Sequence, residues 1–415
     1  MQDHPVLGQV ALGYSPIIDR QRAVVATRLT IFPERPDVVP DAHALLQALD
    51  EVWPAPEGEA RPAPRPFDPG AAGLRPGVSL NLAGEQLLDA VVAASPGTHL
   101  MLEVPAFMTS DAARSARLRQ LREAGTVLLI KGRPLVPLTP EVLVLFGHSI
   151  VEAGDDRRGA TPAPPGVRQV TTVQAGARTS ADIEAAFQRG SVAVLGWPAD
   201  DAPPPPSGRA VVPSDVKIVM ELINGVEAEA PMAVLEGVLR RDPTLAFRLL
   251  RYLNSPAFGL SVEINSFSQA LMLLGYQRLK RWLSLLLASS SKGVNARPVM
   301  YSALRRGLLM EEFCRDQADA EMRGEMFICG VFSLLDKLLH QPFSELLSSV
   351  PVPERVQQAL RDEGGPYQPY LNLVRAVESE SVLDIREQAE RLFLSTTAVN
   401  RAVLTALRAA RQLDG

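Results

Sequence analysis

The sequence predicts an α/β fold plus an all-α fold, a TIM-type barrel with one antiparallel strand followed by a helical domain. Three observations carry this. The first half alternates short β-rich runs with helical periods, the second half shows helical periods with almost no strand signal, and a proline run separates them. The β-rich runs are Val10–Tyr14, Val24–Phe32, Val78–Ala83, Leu100–Pro105, Thr126–Ile130, Ser149–Ala153, Arg168–Gln174 and Ser191–Trp197. Helical patterns at Ala42–Val52, Ala83–Ala94, Asp111–Ala124, Pro140–Gly147 and Ser180–Gln188 lie between them. Strands alternating with helices imply a mostly parallel sheet, and eight are enough to close a barrel. The first two runs are joined only by Ile17–Arg22, so they are expected to pair as an antiparallel hairpin.

In the second half, Asp242-Pro243 starts a helix with a carboxylate cap and proline at the first helical position. Leu245, Leu249 and Leu250 line one face until Asn254-Ser255-Pro256 stops it. Further helices are expected at Val216–Asn224, Pro231–Leu239, Ser268–Leu274, Tyr276–Ser289, Tyr301–Arg315 and Glu325–Leu339. Pro353–Asp362, Tyr370–Val377, Ser381–Leu392 and Ser395–Leu413 complete the series.

The domain boundary falls at the tetraproline Pro203–Pro206, a stiff polyproline II spacer. This gives a barrel at 1–202, a linker at 203–209 and a helical domain at 210–415. Charge supports the cut: residues 1–205 carry 18 basic and 23 acidic groups, and the rest carries 24 of each. At 415 residues, 46% hydrophobic and 21% charged, the chain holds apolar material for two cores. A net charge of −5 argues against a dedicated nucleic-acid binder. Cys314 and Cys329 form neither a disulfide framework nor a metal or redox spacing. Met1–Gly8 has no apolar run of a signal peptide, and Leu283–Ala288 is far too short to span a bilayer. A cytoplasmic protein is expected.

The stretch Asp242–Gly259, DPTLAFRLLRYLNSPAFG, followed by Ile264–Leu286, INSFSQALMLLGYQRLKRWLSLL, resembles an HDOD domain, a helical relative of the HD phosphohydrolases. Its signature falls on Asp242, Pro243, Leu245, Asn254, Ser255, Phe258, Gly259, Leu274 and Gly275, read here as mainly structural. The first half is similar to EAL domains, barrels that hydrolyse cyclic di-GMP: Ser15–Phe32 resembles their opening hairpin. Ser79–Leu88, Leu100–Pro105 and Leu121–Gly132 follow in the family's order. The resemblance implies a bacterial signalling protein with an EAL-like barrel before an HDOD domain.

It also implies where chemistry would sit, and there the chain departs from the pattern. Such barrels hold divalent metal on carboxylates at the carboxyl ends of their strands. Asn81 and Glu103 keep the family's residue types, but Arg28 stands for the glutamate of the EAL signature, and Lys131 with Gly132 for an aspartate pair. The family's lysine falls near Val151 or Glu152, and its late glutamate lies within Gln174–Ala177. A divalent ion about 4 Å from a cation is repelled by about 8 kcal/mol at an effective dielectric of about 20. Arg28 and Lys131 are therefore expected to pair with Glu103 or Glu152, with a phosphate contact as the alternative. In the helical half, Ser333 and Leu334 occupy the His-Asp positions of HD hydrolases, and His340 reads as a helix-end residue. His4, His43, His99 and His148 are scattered, so no metal site is expected.

Other candidates are read as scaffold. Arg240, Arg241, Arg248, Arg251, Arg278, Lys280 and Arg281 make a solvated helical face lacking the aromatic interleaving of nucleic-acid binders. Asn254-Ser255 caps backbone groups, Tyr276 and Trp282 anchor a core or interface, and Ser289–Ser291 have no base at a recognisable spacing. The expectation is a degenerate phosphodiesterase barrel with no catalytic residue, cofactor or metal, acting as an adaptor for other signalling proteins. Homo-oligomers are allowed for; nucleic acid and membrane insertion are not. The partner surface is expected in the interdomain cleft and around Phe258 and Leu260. Two alternatives stand beside it: a barrel that binds cyclic di-GMP as a sensor without hydrolysing it, and a residual hydrolase using another site.

Overall fold

Ten residues of β1 (Val10–Asp19) turn back through Arg20–Ala23 into β2 (Val24–Pro33), the hairpin the short connection requires. Arg22 takes a left-handed conformation (φ 60°) in that turn. This computed structural model describes residues 4–55, 77–132, 137–155, 170–198, 200–201, 214–239, 241, 275–276, 279–281, 283–287, 296–315, 318–339, 341–349 and 352–414. After the hairpin come β3 (Gly77–Leu82), β4 (Leu100–Pro105), β5 (Val127–Lys131), β6 (Phe146–Glu152), β7 (Thr171–Ala177) and β8 (Ala193–Gly196). β2 to β8 pair in parallel, β1 joins β8 antiparallel, and the sheet closes as β1-β2-β3-β4-β5-β6-β7-β8.

Local chemistry starts the helices of this barrel. Asp41 caps α1 (Ala42–Asp50) by accepting from the His43 and Ala44 amides, and Asp111 caps α3 (Ala112–Glu123) through Ala113 and Arg114. Thr179 and Asp182 form a reciprocal capping box at α5 (Ser180–Gln188). α2 spans Glu85–Ala94. The helix expected at Pro140–Gly147 is only one turn, α4 (Pro140–Leu143), because β6 begins at Phe146 to pair with Leu128. Proline favours a first turn there, but sheet closure takes the following residues.

Inside the barrel, Ile17, Ala26, Met101, Leu129, Ile150, Val173, Ala175, Ala193 and Leu195 form one buried cluster. Strand alternation then puts Ser15, Arg28, Thr30, Ser79, Asn81, Glu103, Lys131 and Glu152 on the same inner face, nearer the carboxyl ends of the parallel strands.

Contact density divides the chain into two compact units, and the cut differs from the expected one. Unit 1 is Met1–Asp201 together with Arg375–Thr405; unit 2 is Ala202–Val374 with Ala406–Gly415. The reason is a gap in the barrel wall. β1 pairs with β8 only over Ile17–Asp19, so Val10–Tyr14 has an open edge away from β2. Asn400, 1% exposed, closes it: its Oδ1 accepts from the Leu12 amide at 3.0 Å while its Nδ2 donates to the Leu7 and Val10 carbonyls at 2.7 and 2.5 Å. One side-chain amide thus does what a neighbouring strand's peptide would do. The Trp197 indole donates to the Glu378 carbonyl at 2.9 Å and meets the Tyr14 ring edge-on at 5.5 Å. Arg386 bridges to Glu34 at 2.8 Å.

Unit 2 is helical: α6 (Ser214–Glu227), α7 (Met232–Leu239), α8 (Ala296–Phe313), α9 (Ala320–Phe332), α10 (Leu335–Leu339), α11 (Phe343–Ser349), α12 (Glu354–Arg361) and most of α13 (Gln368–Glu378). α14 (Val382–Arg391) and the start of α15 (Thr396–Asp414) belong to unit 1. α8 and α9 cross backbone to backbone, since a Cβ on Gly330 would lie 2.5 Å from the Arg306 carbonyl carbon and 2.6 Å from the Gly307 nitrogen. The helix expected over Glu325–Leu339 is broken at Ser333-Leu334, and Phe343–Ser349 adds a helix the periodicity did not indicate. No helix among the described residues is long and apolar enough to cross a membrane.

Candidate functional site at the barrel mouth

Four residues singled out by the sequence meet at the carboxyl end of the barrel. Glu103 on β4 is fully buried, and the Arg28 guanidinium on β2 grips it with two bonds, Nε to Oε1 at 3.0 Å and Nη2 to Oε2 at 2.8 Å. The Ser79 hydroxyl adds a third donor to Oε1 at 3.0 Å. A two-pronged guanidinium–carboxylate pair supplies the positive charge that so deeply buried an anion requires. Burial opposes the charge on Arg28, but Glu103 and Glu380 outweigh it and hold the guanidinium pKa above its ordinary value.

Lys131 does not take the expected partner. It was expected on Glu103 or Glu152; instead its Nζ lies against the Asn81 Oδ1. Burial pushes the ammonium pKa down; Glu103 opposes this and Arg28 adds to it. Asn81 passes the chain on, donating from Nδ2 to the Thr30 hydroxyl at 3.0 Å. Gln174 falls out of the site, because its neighbours Val173 and Ala175 take the inner face and its side chain accepts from Arg189, just after α5, at 2.5 Å.

Sequence reasoning missed Glu380. It lies between α13 and α14 in a left-handed conformation (φ 56°) and reaches into the mouth. Its Oε1 accepts from the Ser15 hydroxyl at 2.5 Å, its Oε2 accepts from Thr30 at 2.6 Å, and Arg28 Nη1 stands 3.5 Å away. A glutamate some 350 positions from its partners gives no local sign of this role. The one available signal is an acidic residue between two helical periods, followed by the cap Ser381.

In unit 2, Ser333 is buried, donates to the Gly330 carbonyl at 2.7 Å and accepts from Arg306 at 3.1 Å; Leu334 is buried core. Asp336 beside them has its pKa pushed up by burial against the pull of Lys337. The basic residues expected as a solvated face are paired where they are described. Lys280 meets Glu227, Arg281 meets Glu311 at 2.8 Å, and Arg241 meets Glu221. The Tyr276 hydroxyl donates to the Ala230 carbonyl at 3.1 Å. Gly275 has φ 67°, which glycine adopts without strain. Asp242, Pro243, Leu245, Asn254, Ser255, Phe258, Gly259, Leu260, Leu274, Trp282, Ser289–Ser291 and His340 lie outside the described residues, as do Arg240, Arg248, Arg251 and Arg278. Among the described residues no group of three or more His, Cys, Asp or Glu is placed to hold a metal ion.

The HDOD family model matches residues 212–347. This stretch is an HDOD domain. With the closed barrel and its single antiparallel strand, it gives the EAL-like plus HDOD arrangement the sequence resemblance implies. The Bacillus subtilis protein YuxH is 34% identical over 165 residues, 39% of this chain and 40% of YuxH. The cyclic di-GMP phosphodiesterase CdgJ of Vibrio cholerae serotype O1 is 28% identical over 207 residues, 50% of this chain and 48% of CdgJ. The chain thus spans about half the length, or less, of these curated relatives. Among solved structures, the PaMucR phosphodiesterase in complex with cyclic di-GMP is 18% identical with a TM-score of 0.28, covering 45% of this chain and 89% of that one. A standalone EAL protein from Vibrio cholerae O395, also bound to cyclic di-GMP, is 14% identical with a TM-score of 0.29 at the same coverage. At these scores the likeness says nothing of activity.

Proposed function

We propose that this chain is a non-catalytic adaptor in cyclic di-GMP signalling that acts by binding other proteins. The setting is suggested by the HDOD domain and by the relative named as a cyclic di-GMP phosphodiesterase. One observation carries the loss of catalysis: the Arg28 guanidinium is bonded to Glu103 where a phosphodiesterase barrel would gather carboxylates around a divalent ion. A metal would have to displace a cation already matched in charge and geometry, and the repulsion worked above opposes it. In unit 2, Ser333, bonded to Arg306 and Gly330, and the buried Leu334 stand at the HD pair positions, and neither side chain can serve as an HD ligand. The full chain incubated with cyclic di-GMP and magnesium or manganese is expected to leave the nucleotide intact. Metal-dependent formation of the linear dinucleotide would refute the reading. The sensor alternative rests on Arg28 and Lys131 as cations in the mouth, and heat released on calorimetric titration with cyclic di-GMP would favour it.

A further inference from the structure

We propose that residues 375–405 form a strap across the carboxyl end of the barrel, with Glu380 as its latch, so that the mouth opens only when the strap leaves. The proposal concerns access to the mouth and does not rest on the adaptor reading.

Three features distinguish a latch from chance packing. First, the Glu380 carboxylate is received by a prepared set of donors. Ser15 from β1 and Thr30 from β2 each give it a hydroxyl, and Arg28 faces it while holding Glu103. Thr30 is itself held by Asn81, so the receiving group belongs to the barrel's own network. Second, the barrel wall leaves room for this turn. Gly13 on β1 has no side chain where a Cβ would stand 2.9 Å from the Glu380 Cα and 3.1 Å from the Val377 carbonyl oxygen. Any larger residue there would push the strap's backbone away. Third, Glu380 takes the left-handed position that ends α13, with its amide bonded to the Val377 carbonyl and the Ser381 amide to the Ala376 carbonyl, so the helix end itself fixes where the side chain leaves towards the mouth.

The other strap bonds join Trp197 to Glu378, Arg386 and Thr396 to Glu34, and Asn400 to Leu7, Val10 and Leu12 along the open edge of β1. Of these strap bonds only those of Glu380 are made to side chains on the inner face. Charge-assisted bonds of this kind make opening roughly ten- to a hundredfold rarer.

The test is hydrogen–deuterium exchange on the full chain, comparing wild type with Glu380→Gln and, separately, with the double variant Ser15→Ala, Thr30→Val. Glu380→Gln keeps the side chain's size and removes its charge; the double variant alters only the receiving side. Each is expected to speed exchange across 376–394 about tenfold or more while β4 to β7 stay protected. Gly13→Ala is expected to do the same by displacement. Strap exchange as slow as wild type in both Glu380→Gln and the double variant would overturn the proposal. So would equal acceleration in strap and barrel, which would mark a general loss of stability. Neither result bears on whether the chain hydrolyses cyclic di-GMP, so the two readings fail separately.

Discussion

Asn400→Ala is the sharpest probe of how unit 1 is built. The substitution removes the acceptor of the Leu12 amide and the donor to the Leu7 and Val10 carbonyls, all at a buried position. An unsatisfied buried amide costs about 1–3 kcal/mol, while carbonyls with two lone pairs lose less. A total near 3 kcal/mol follows, a factor above about 100 in the folding equilibrium of this unit. Asn400→Asp separates hydrogen bonding from packing. It keeps an oxygen for the Leu12 amide but turns a second oxygen towards two carbonyl oxygens, so its loss should equal or exceed that of alanine. Urea denaturation followed by exchange in the β1–β2 peptides reads both variants on the segment concerned. A loss below about 0.5 kcal/mol for Asn400→Ala would refute the claim that this amide substitutes for a neighbouring strand.

Other perturbations test separate parts of the chain. Arg28→Ala strands the fully buried Glu103 and should cost about 3–5 kcal/mol by denaturant titration, with Glu103→Gln recovering part of the loss in the double variant. Burial pushes the His148 pKa down to about 4, so the unfolded chain binds the extra proton between about pH 4 and pH 6.5. Its contribution, at most about 3 kcal/mol, is present above that window and fades as the pH falls through it; an imidazole titrating near 6.5 by NMR would contradict this. Burial, and then Glu311, push the Cys314 thiol up to about 11, so the native protein should resist a disulfide reagent at pH 8 until it is unfolded. Gly330→Ala forces α8 and α9 apart and should lower unit 2 stability by about 1–3 kcal/mol, visible as an earlier thermal transition.

The barrel was legible because its signals are local and repeated. Each of the eight β-rich runs became a strand, and Asp41, Asp111 and Thr179 start helices as cap chemistry requires. The misreadings occur where distant contacts overrule local preference. Phe146 and Gly147 continue the helical pattern from Pro140, but pairing with β5 draws them into β6. Ser333 sits inside a helical period, yet its hydroxyl bonds to Gly330 and Arg306 where the helix ends. The site was half legible. Strand order brings Arg28 and Glu103 to one inner face, where their opposite charges pair them. Lys131 was misplaced because the preference of Arg28 for Glu103 leaves it nearest Asn81. The contributions of Glu380 and Asn400 depend on the chain returning to its first strand, which no periodicity encodes.

The internal bonding of the mouth bears on what kind of ligand it favours. Glu103 is satisfied by Arg28 and Ser79, Glu380 by Ser15 and Thr30, and Lys131 and Thr30 by Asn81. A divalent cation would meet the Arg28 guanidinium first. An anion would have to displace Glu380, exchanging one set of charge-assisted bonds for another while still bearing its own desolvation cost. A protein partner faces neither cost if it binds the outer surface of the strap, where Leu383 and Phe393 are 72% and 94% exposed. Burying two large apolar side chains that already stand in water is favourable by about 1.5–3 kcal/mol each, with no internal bond to break. Under the proposed adaptor reading, recognition on the outside of the strap would break none of these bonds.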